Sequence, residues 1–354
     1  MGHGGGGICR CPSGIRCQLP SRLTLLTMYK SFYNLKRNPF ELTPDPYFLF
    51  STPRHNEALA TLYHGVRGHK GFVVLTGDVG TGKTLLLRCL LQLFGQSNDV
   101  ACAYVFNNRV SSVEFLQSVG RDFGLAVSGK TKGEILFDLS NYVIDRSMRK
   151  LTTVLVVDEA HHLSADILEE IRLLTNLETT QEKLLQVLLV GQPELNDKLD
   201  SSELWQLKQR IAHRSQLVPL DLNETTGYIA RRLDLAGAGS SGCLDFLPDA
   251  IAAVFRYSGG IPRLINTICE NALITAYARQ SRNVTPEIIE DVAVNLRLHL
   301  PAAQALQEGN CGELDEMGAR RTAKSLAGLL AYLNRLSSRD AESPTAVTIE
   351  SQQS

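Results

Sequence analysis

The chain has 354 residues, 44% of them hydrophobic and 21% charged, with a formal net charge of -1. That length accommodates two or three domains with a sizeable core, and the balance excludes a strongly basic chain drawn to nucleic acid or anionic lipid by bulk charge. No uninterrupted apolar run approaches the roughly 20 residues needed to cross a bilayer, and eight scattered cysteines do not make a disulfide scaffold at this length.

Residues 1–27 hold a glycine run, Gly4 to Gly7, and then Cys9, Cys11 and Cys17 among Pro, Ser and Arg. No fourth ligand has zinc spacing and no secretory cleavage pattern follows. The stretch reads as a disordered extension, or as a start assigned too early, with Met28 the true beginning. Residues 28–50 are rich in aromatics and proline (Tyr29, Phe32, Tyr33, Asn38-Pro39-Phe40, Thr43-Pro44-Asp45-Pro46), which predicts an ordered segment packed on the core. Thr52-Pro53 then opens a helix.

Gly71-Phe72-Val73-Val74-Leu75-Thr76 predicts a buried strand, and Gly77-Asp78-Val79-Gly80-Thr81-Gly82-Lys83-Thr84 follows it with the pattern G-x-x-x-x-G-K-[ST]. Backbone N–H groups converge on a polyanion there only if no Cβ atoms intervene, hence the glycines. The helix opening at Lys83 directs its positive dipole end at the same phosphates. Lys83 can reach terminal phosphate oxygens, and the Thr84 hydroxyl can ligate Mg²⁺.

Further strands are predicted at Val100 to Phe106, Leu151 to Val157, Leu184 to Val190 and Gln216 to Leu220. Helices are predicted around Val113 to Phe123, Lys132 to Asp145, Ala165 to Leu177 and Glu203 to Ala212. The alternation argues for an α/β fold, a doubly wound parallel sheet flanked by helices. From Asn223, taken as an N-cap, only helices are expected: one carrying Tyr228, Ile229 and Leu233, others opening at Pro248, Pro262 and Pro286. The division is therefore 28–221 nucleotide-binding domain, 222–300 small helical lid, and 301–354 polar tail with one amphipathic stripe from Leu326 to Leu336.

Asp158 and Glu159 end the third strand. An acidic pair there, beside a phosphate loop, can hold Mg²⁺ (Asp158) and orient the attacking water (Glu159). Asp158-Glu159-Ala160-His161 also spells the DEAH box of one helicase superfamily, but the second α/β motor domain of those enzymes has no counterpart in this chain. Gln192, directly after the fourth strand, is placed to touch a γ-phosphate or the lytic water. Arg210 and Arg214 are read as one helical turn apart on one face, where an arginine could reach a neighbouring subunit's phosphate as an arginine finger. Arg263, in the first turn of a lid helix after Gly259-Gly260, could bridge lid and nucleotide.

In this order the motifs resemble the AAA+ ATPases, and within them the general secretion pathway protein A (ExeA-like) family, over about residues 28–300. The carrying stretches include Leu75 to Thr84, Val157 to Ala160, Ile171 to Thr179, Leu189 to Leu195, Gln209-Arg210-Ile211 and Gly260 to Arg263. The resemblance implies an α/β nucleotide domain with a helical lid, ATP and Mg²⁺ as cofactors, ATP hydrolysis, and ATP-dependent self-association. Lys83, Thr84, Asp158, Glu159, Gln192, Arg210 or Arg214, and Arg263 take the family's site roles. It further implies a protein partner in a secretion or assembly system and a cytoplasmic location, peripheral at the inner membrane through that partner. A DNA-binding transposition-type ATPase is the alternative, disfavoured by near-neutral charge and the lack of a recognisable helix-turn-helix. The family usually has glutamine where His161 stands. Its founding members also carry a transmembrane segment and a peptidoglycan-binding domain, neither of which is read from this sequence.

Overall fold

Strand β1 (Phe72–Gly77) is buried at all six positions, as its unbroken apolar run requires of a strand covered on both faces. In a computed structural model, which describes residues 29–298 apart from 98, 107–109, 179–181 and 239–243, it lies within a five-stranded sheet. Its companions are β2 (Val100–Val105), β3 (Thr152–Val157), β4 (Leu185–Gly191) and β5 (Ile211–Leu217), in the order β2-β3-β4-β1-β5. All pairings are parallel. The extension 1–27 and the tail from 301, with its leucine stripe, lie outside the described residues.

Successive side chains of a strand point to opposite faces, and the sheet sorts its residues accordingly. Phe72, Val74, Leu155, Val157, Val187 and Leu189 join one core with the helices Ser112–Asp122, Lys132–Met148 and Ala165–Leu174. Val73, Leu75, Val154, Val156, Leu188 and Val190 join the other with the helices Pro53–Arg67 and Lys83–Gly95. Truncating a fully buried leucine such as Leu75 to alanine costs about 2–5 kcal/mol. β1 and its sequence successor β2 are separated by β4 and β3, so the connections reverse direction beside β1. Ligands of doubly wound sheets bind at such a reversal, beyond the carboxyl ends of the strands.

A third core belongs to the helical part: helices Leu222–Leu235, Pro248–Ser258, Pro262–Ala278 and Pro286–Asn295. The segment 29–40 supplies Tyr29, Tyr33, Leu35 and Phe40 to this cluster rather than to the sheet. Its Tyr29 hydroxyl donates to Glu270 over 2.9 Å.

Several predicted boundaries move. The helix expected at Glu203 to Ala212 is a 3₁₀ turn (Ser202–Leu204) and a single α turn (Trp205–Lys208), and the last strand starts at Ile211 instead of Gln216. As an edge strand β5 keeps one face polar, with Ala212, Arg214 and Gln216 exposed, so its amino acids read as the continuation of a basic helix. The lid helix is capped by Asp221, not Asn223: the Asp221 carboxylate accepts the Glu224 backbone N–H in a capping box. The lid also holds two short strands, β6 (Asp245–Phe246) and β7 (Asn283–Val284), paired in parallel, where only helices were expected.

Candidate functional site

The loop after β1 requires its glycines individually. Gly80 and Gly82 take φ values of +86° and +106°, a region costly for any residue with a Cβ. A Cβ on Gly77 would fall 2.7 Å from the Leu217 carbonyl oxygen. The Thr81 hydroxyl donates to the Asp78 carbonyl over 2.8 Å and tightens the turn. Val79 stays exposed at the loop tip. Lys83 is buried, its ammonium donating to the carbonyls of Gly77 (2.7 Å) and Asp78 (2.9 Å). Burial lowers its pKa, while the carboxylates of Glu159 and Asp158 oppose that shift.

β3 delivers the acidic pair to the same edge. The Asp158 N–H still donates to Val105 of β2 (2.9 Å), so the ladder holds this residue's backbone. Thr84 Oγ1 lies 3.4 Å from Asp158 Oδ2. A hydroxyl and a carboxylate side by side are hard oxygen donors of the kind Mg²⁺ accepts, one or two from protein and the rest from phosphates and water. Among the described residues no group of three His, Cys, Asp or Glu could hold a metal by itself. Glu159 turns the chain with φ +53°, and its carboxylate Oε2 lies 3.4 Å from Nδ1 of His161. Gln192 follows β4 directly, and its side-chain Nε2 lies 3.0 Å from Nε2 of His161.

The lid closes the other side. The backbone N–H of Arg263 donates to the Gly80 carbonyl over 3.2 Å, and a Cβ on Gly80 would meet the Arg263 Cβ at 2.8 Å. Between loop and lid lies a cavity of about 280 Å³ lined by Gly80, Lys83, Thr84 and Glu159 on one wall and by Tyr228, Arg232, Arg263 and Asn266 on the other. Residues 41–44 form its rim.

The AAA domain family matches residues 66–199. The chain is 43% identical over 260 residues, 73% of its length, to "General secretion pathway protein A" of Aeromonas hydrophila, and spans 46% of that relative. Among solved structures it is similar to the Aeropyrum pernix ORC2 protein in ADPNP-ADP complexes, with a TM-score of 0.56 and 18% identity over 73% of this chain and 71% of that one. Cdc6p of Pyrobaculum aerophilum matches with a TM-score of 0.52 and 18% identity, covering 75% and 70%. At that identity these structures speak to the fold. Residues 66–199 form an AAA domain, on the parallel-sheet fold of the AAA+ P-loop ATPases.

Within this AAA+ fold the two candidate fingers separate. Arg210 is not on a helix face with Arg214; it sits in the turn before β5 and donates inward to the Arg172 carbonyl and to Thr175 Oγ1, both over 3.3 Å. Arg214 stands mid-strand, in register with Val74, and pairs with Asp200 at 3.1 Å on the surface. Neither approaches the loop of its own chain closely enough to make a hydrogen bond there.

The structure adds residues that the motifs did not single out. Tyr104 on β2 donates its hydroxyl to Asp158 Oδ2 over 2.7 Å. Burial foremost, then that carboxylate, push its pKa up. A lone tyrosine near the carboxyl end of an Ala/Cys/Val strand was the available signal. Arg232 is buried in the lid, stacked over Phe48 and Tyr228 at 5.0 Å each, and donates to the Pro39 carbonyl over 2.8 Å. An arginine at i+4 from Tyr228, on the helix's apolar stripe, marked it. His55 is buried where the helix Pro53–Arg67 begins, its Nδ1 2.7 Å from Thr52 Oγ1.

Proposed function

We propose that this AAA+ protein binds and hydrolyses ATP and uses the cycle to assemble or dissociate protein partners of a secretion-type system. The observation that carries the reading is the convergence, at one sheet edge, of Lys83, Asp158 and Glu159 with a lid residue, Arg263, that touches the loop itself. The loop amides and Lys83 bind the phosphates, and Thr84 with Asp158 would hold Mg²⁺, which supplies charge neutralisation between phosphate oxygens. Glu159 orients the attacking water and accepts its proton, Gln192 contacts the terminal phosphate or that water, and Arg263 couples lid position to the nucleotide. An arginine from a second copy completes the site, which makes hydrolysis depend on self-association.

The secretion partner is supported by the Aeromonas relative, of which this chain matches under half. No helix among the described residues is long and apolar enough to cross a membrane, and we place the protein in the cytoplasm, reaching the inner membrane through its partner.

The test is phosphate release with purified protein, wild type against E159Q and K83A. E159Q should bind nucleotide while turnover falls by roughly a hundredfold or more, and K83A should lose binding. Equal turnover by E159Q and wild type would show that Glu159 does not activate the water. ATP-dependent, salt-sensitive retention of DNA in a gel shift would instead favour the transposition-type reading.

A further inference from the structure

His161 occupies a built seat between two residues assigned to the reaction. Its side chain is only 8% exposed. Nδ1 lies 3.4 Å from Glu159 Oε2, and Nε2 lies 3.0 Å from Gln192 Nε2. The Gln192 backbone N–H also points at Nδ1 over 3.4 Å. The turn that carries the ring is clamped from outside, since Lys198 Nζ donates to the carbonyls of His161 (2.6 Å) and Leu163 (2.7 Å). Gly191 leaves the space: a Cβ there would stand 3.2 Å from the His161 backbone N and 3.4 Å from Nδ1. Burial and the neighbouring His162 ring lower its pKa, so the neutral imidazole is the form to consider.

A neutral imidazole offers one donor and one acceptor, and this one can use them in two ways, of which the structure holds the one with Nδ1 accepting the Gln192 backbone N–H. With the proton on Nδ1 it is aimed at Glu159 Oε2, a buried oxygen that makes no hydrogen bond at the present 3.4 Å, and it accepts the Gln192 side-chain N–H at Nε2. For the bond to Glu159 to form, the pair must close and the Gln192 backbone N–H be given up. With the proton on Nε2 it donates to the Gln192 side-chain oxygen, after that amide turns over, and accepts the Gln192 backbone N–H at Nδ1. The second arrangement gives up Glu159. What the Gln192 amide is bonded to therefore decides whether Nδ1 presents Glu159 with a proton.

We propose that His161 is a positioning residue that couples Gln192 to Glu159, so that engagement of Gln192 by a terminal phosphate is transmitted to the carboxylate that activates water. This rests on the hydrolytic reading of the same site. His161 is not among the residues that line the cavity; it acts through the two side chains it lies between.

The test is a double-mutant cycle on steady-state ATP turnover, with nucleotide affinity from a fluorescent ATP analogue as control. H161A should retain nucleotide affinity within about threefold and lose turnover by roughly tenfold or more. H161Q, whose amide also offers a donor and an acceptor, should recover most of that loss. Because the two residues act as a unit, H161A combined with Q192A should turn over no more slowly than Q192A alone. Should H161A fail to fold, H161F, which keeps a ring without nitrogens, is read in its place. Wild-type turnover in H161A or H161F overturns the coupling and leaves the ATPase reading intact. Multiplying losses in the double variant overturn it too. Absence of turnover in wild type overturns the ATPase reading, and this inference with it.

Discussion

The Arg263 backbone N–H donates to the Gly80 carbonyl over 3.2 Å, joining the lid to the phosphate loop by main chain rather than by a long side chain. Such a contact survives side-chain substitution at 263 but not a change in the loop's shape. G80A places a Cβ 2.8 Å from that of Arg263, at a φ of +86°. The strained backbone alone costs on the order of 1–3 kcal/mol. G80A should lower both the melting temperature and nucleotide affinity, whereas R263A should bind nucleotide within a few-fold of wild type and lose mainly turnover. Calorimetry and fluorescent-nucleotide titration distinguish the two.

The arginines before and within β5 should part company. Arg210 bonds inward to Arg172 and Thr175, so R210A should cost about 1–2 kcal/mol of stability through the lost bonds and a bared carbonyl. Arg214 makes a surface pair with Asp200, a kind of contact worth about 0–1 kcal/mol. R214A should melt near wild type yet lose turnover if this residue acts on a neighbour's nucleotide. Mixing R214A with K83A should then raise phosphate release above the sum of the two, because one supplies the loop and the other the arginine.

Tyr104 hydrogen-bonds Asp158 Oδ2 at 2.7 Å and Thr84 Oγ1 stands 3.4 Å from that oxygen. Outer partners of this kind orient a metal-binding carboxylate. Y104F should leave metal-free nucleotide binding unchanged and weaken the Mg²⁺ dependence of binding severalfold, read by titrating Mg²⁺ against a fixed nucleotide concentration.

His55 is buried, and desolvation lowers its pKa from the ordinary 6.5. A group with a depressed histidine pKa binds its proton more readily when unfolded. Its contribution is therefore fully present above pH 6.5 and shrinks as the pH falls from there toward the folded value. The melting temperature should drop on acidification through this window, and H55Q should flatten the drop. An unchanged slope in H55Q would assign it to other histidines, such as His161 and His213, whose pKa values burial also lowers.

Much of the site was legible because its chemistry is local in sequence. Gly77 to Thr84 announces a loop by spacing, and Asp158-Glu159 follows an apolar run that can only be a covered strand. Tyr104 was not legible, since its partner is 54 residues away and nothing in a strand's composition says which residue lies beside it. β5 was misplaced because an edge strand with one wet face lacks the continuous apolar signature of its neighbours. β6 and β7, two residues each, are too short to leave any period. His161, a departure from the family's usual glutamine, gained its meaning only when β4 brought Gln192 beside it.

The segment 29–40 has a consequence for how the polypeptide reaches its final form. Tyr29 and Tyr33 bond to residues 240 or more positions later, Glu270, Leu273 and Ser281. A ribosome delivers these aromatics first and their partners last, so the lid core cannot close until nearly the whole described chain has emerged. Contacts of such separation slow folding. Deleting residues 29–40 should therefore leave a sheet that forms and a lid that stays soft, a contrast that hydrogen exchange would resolve element by element.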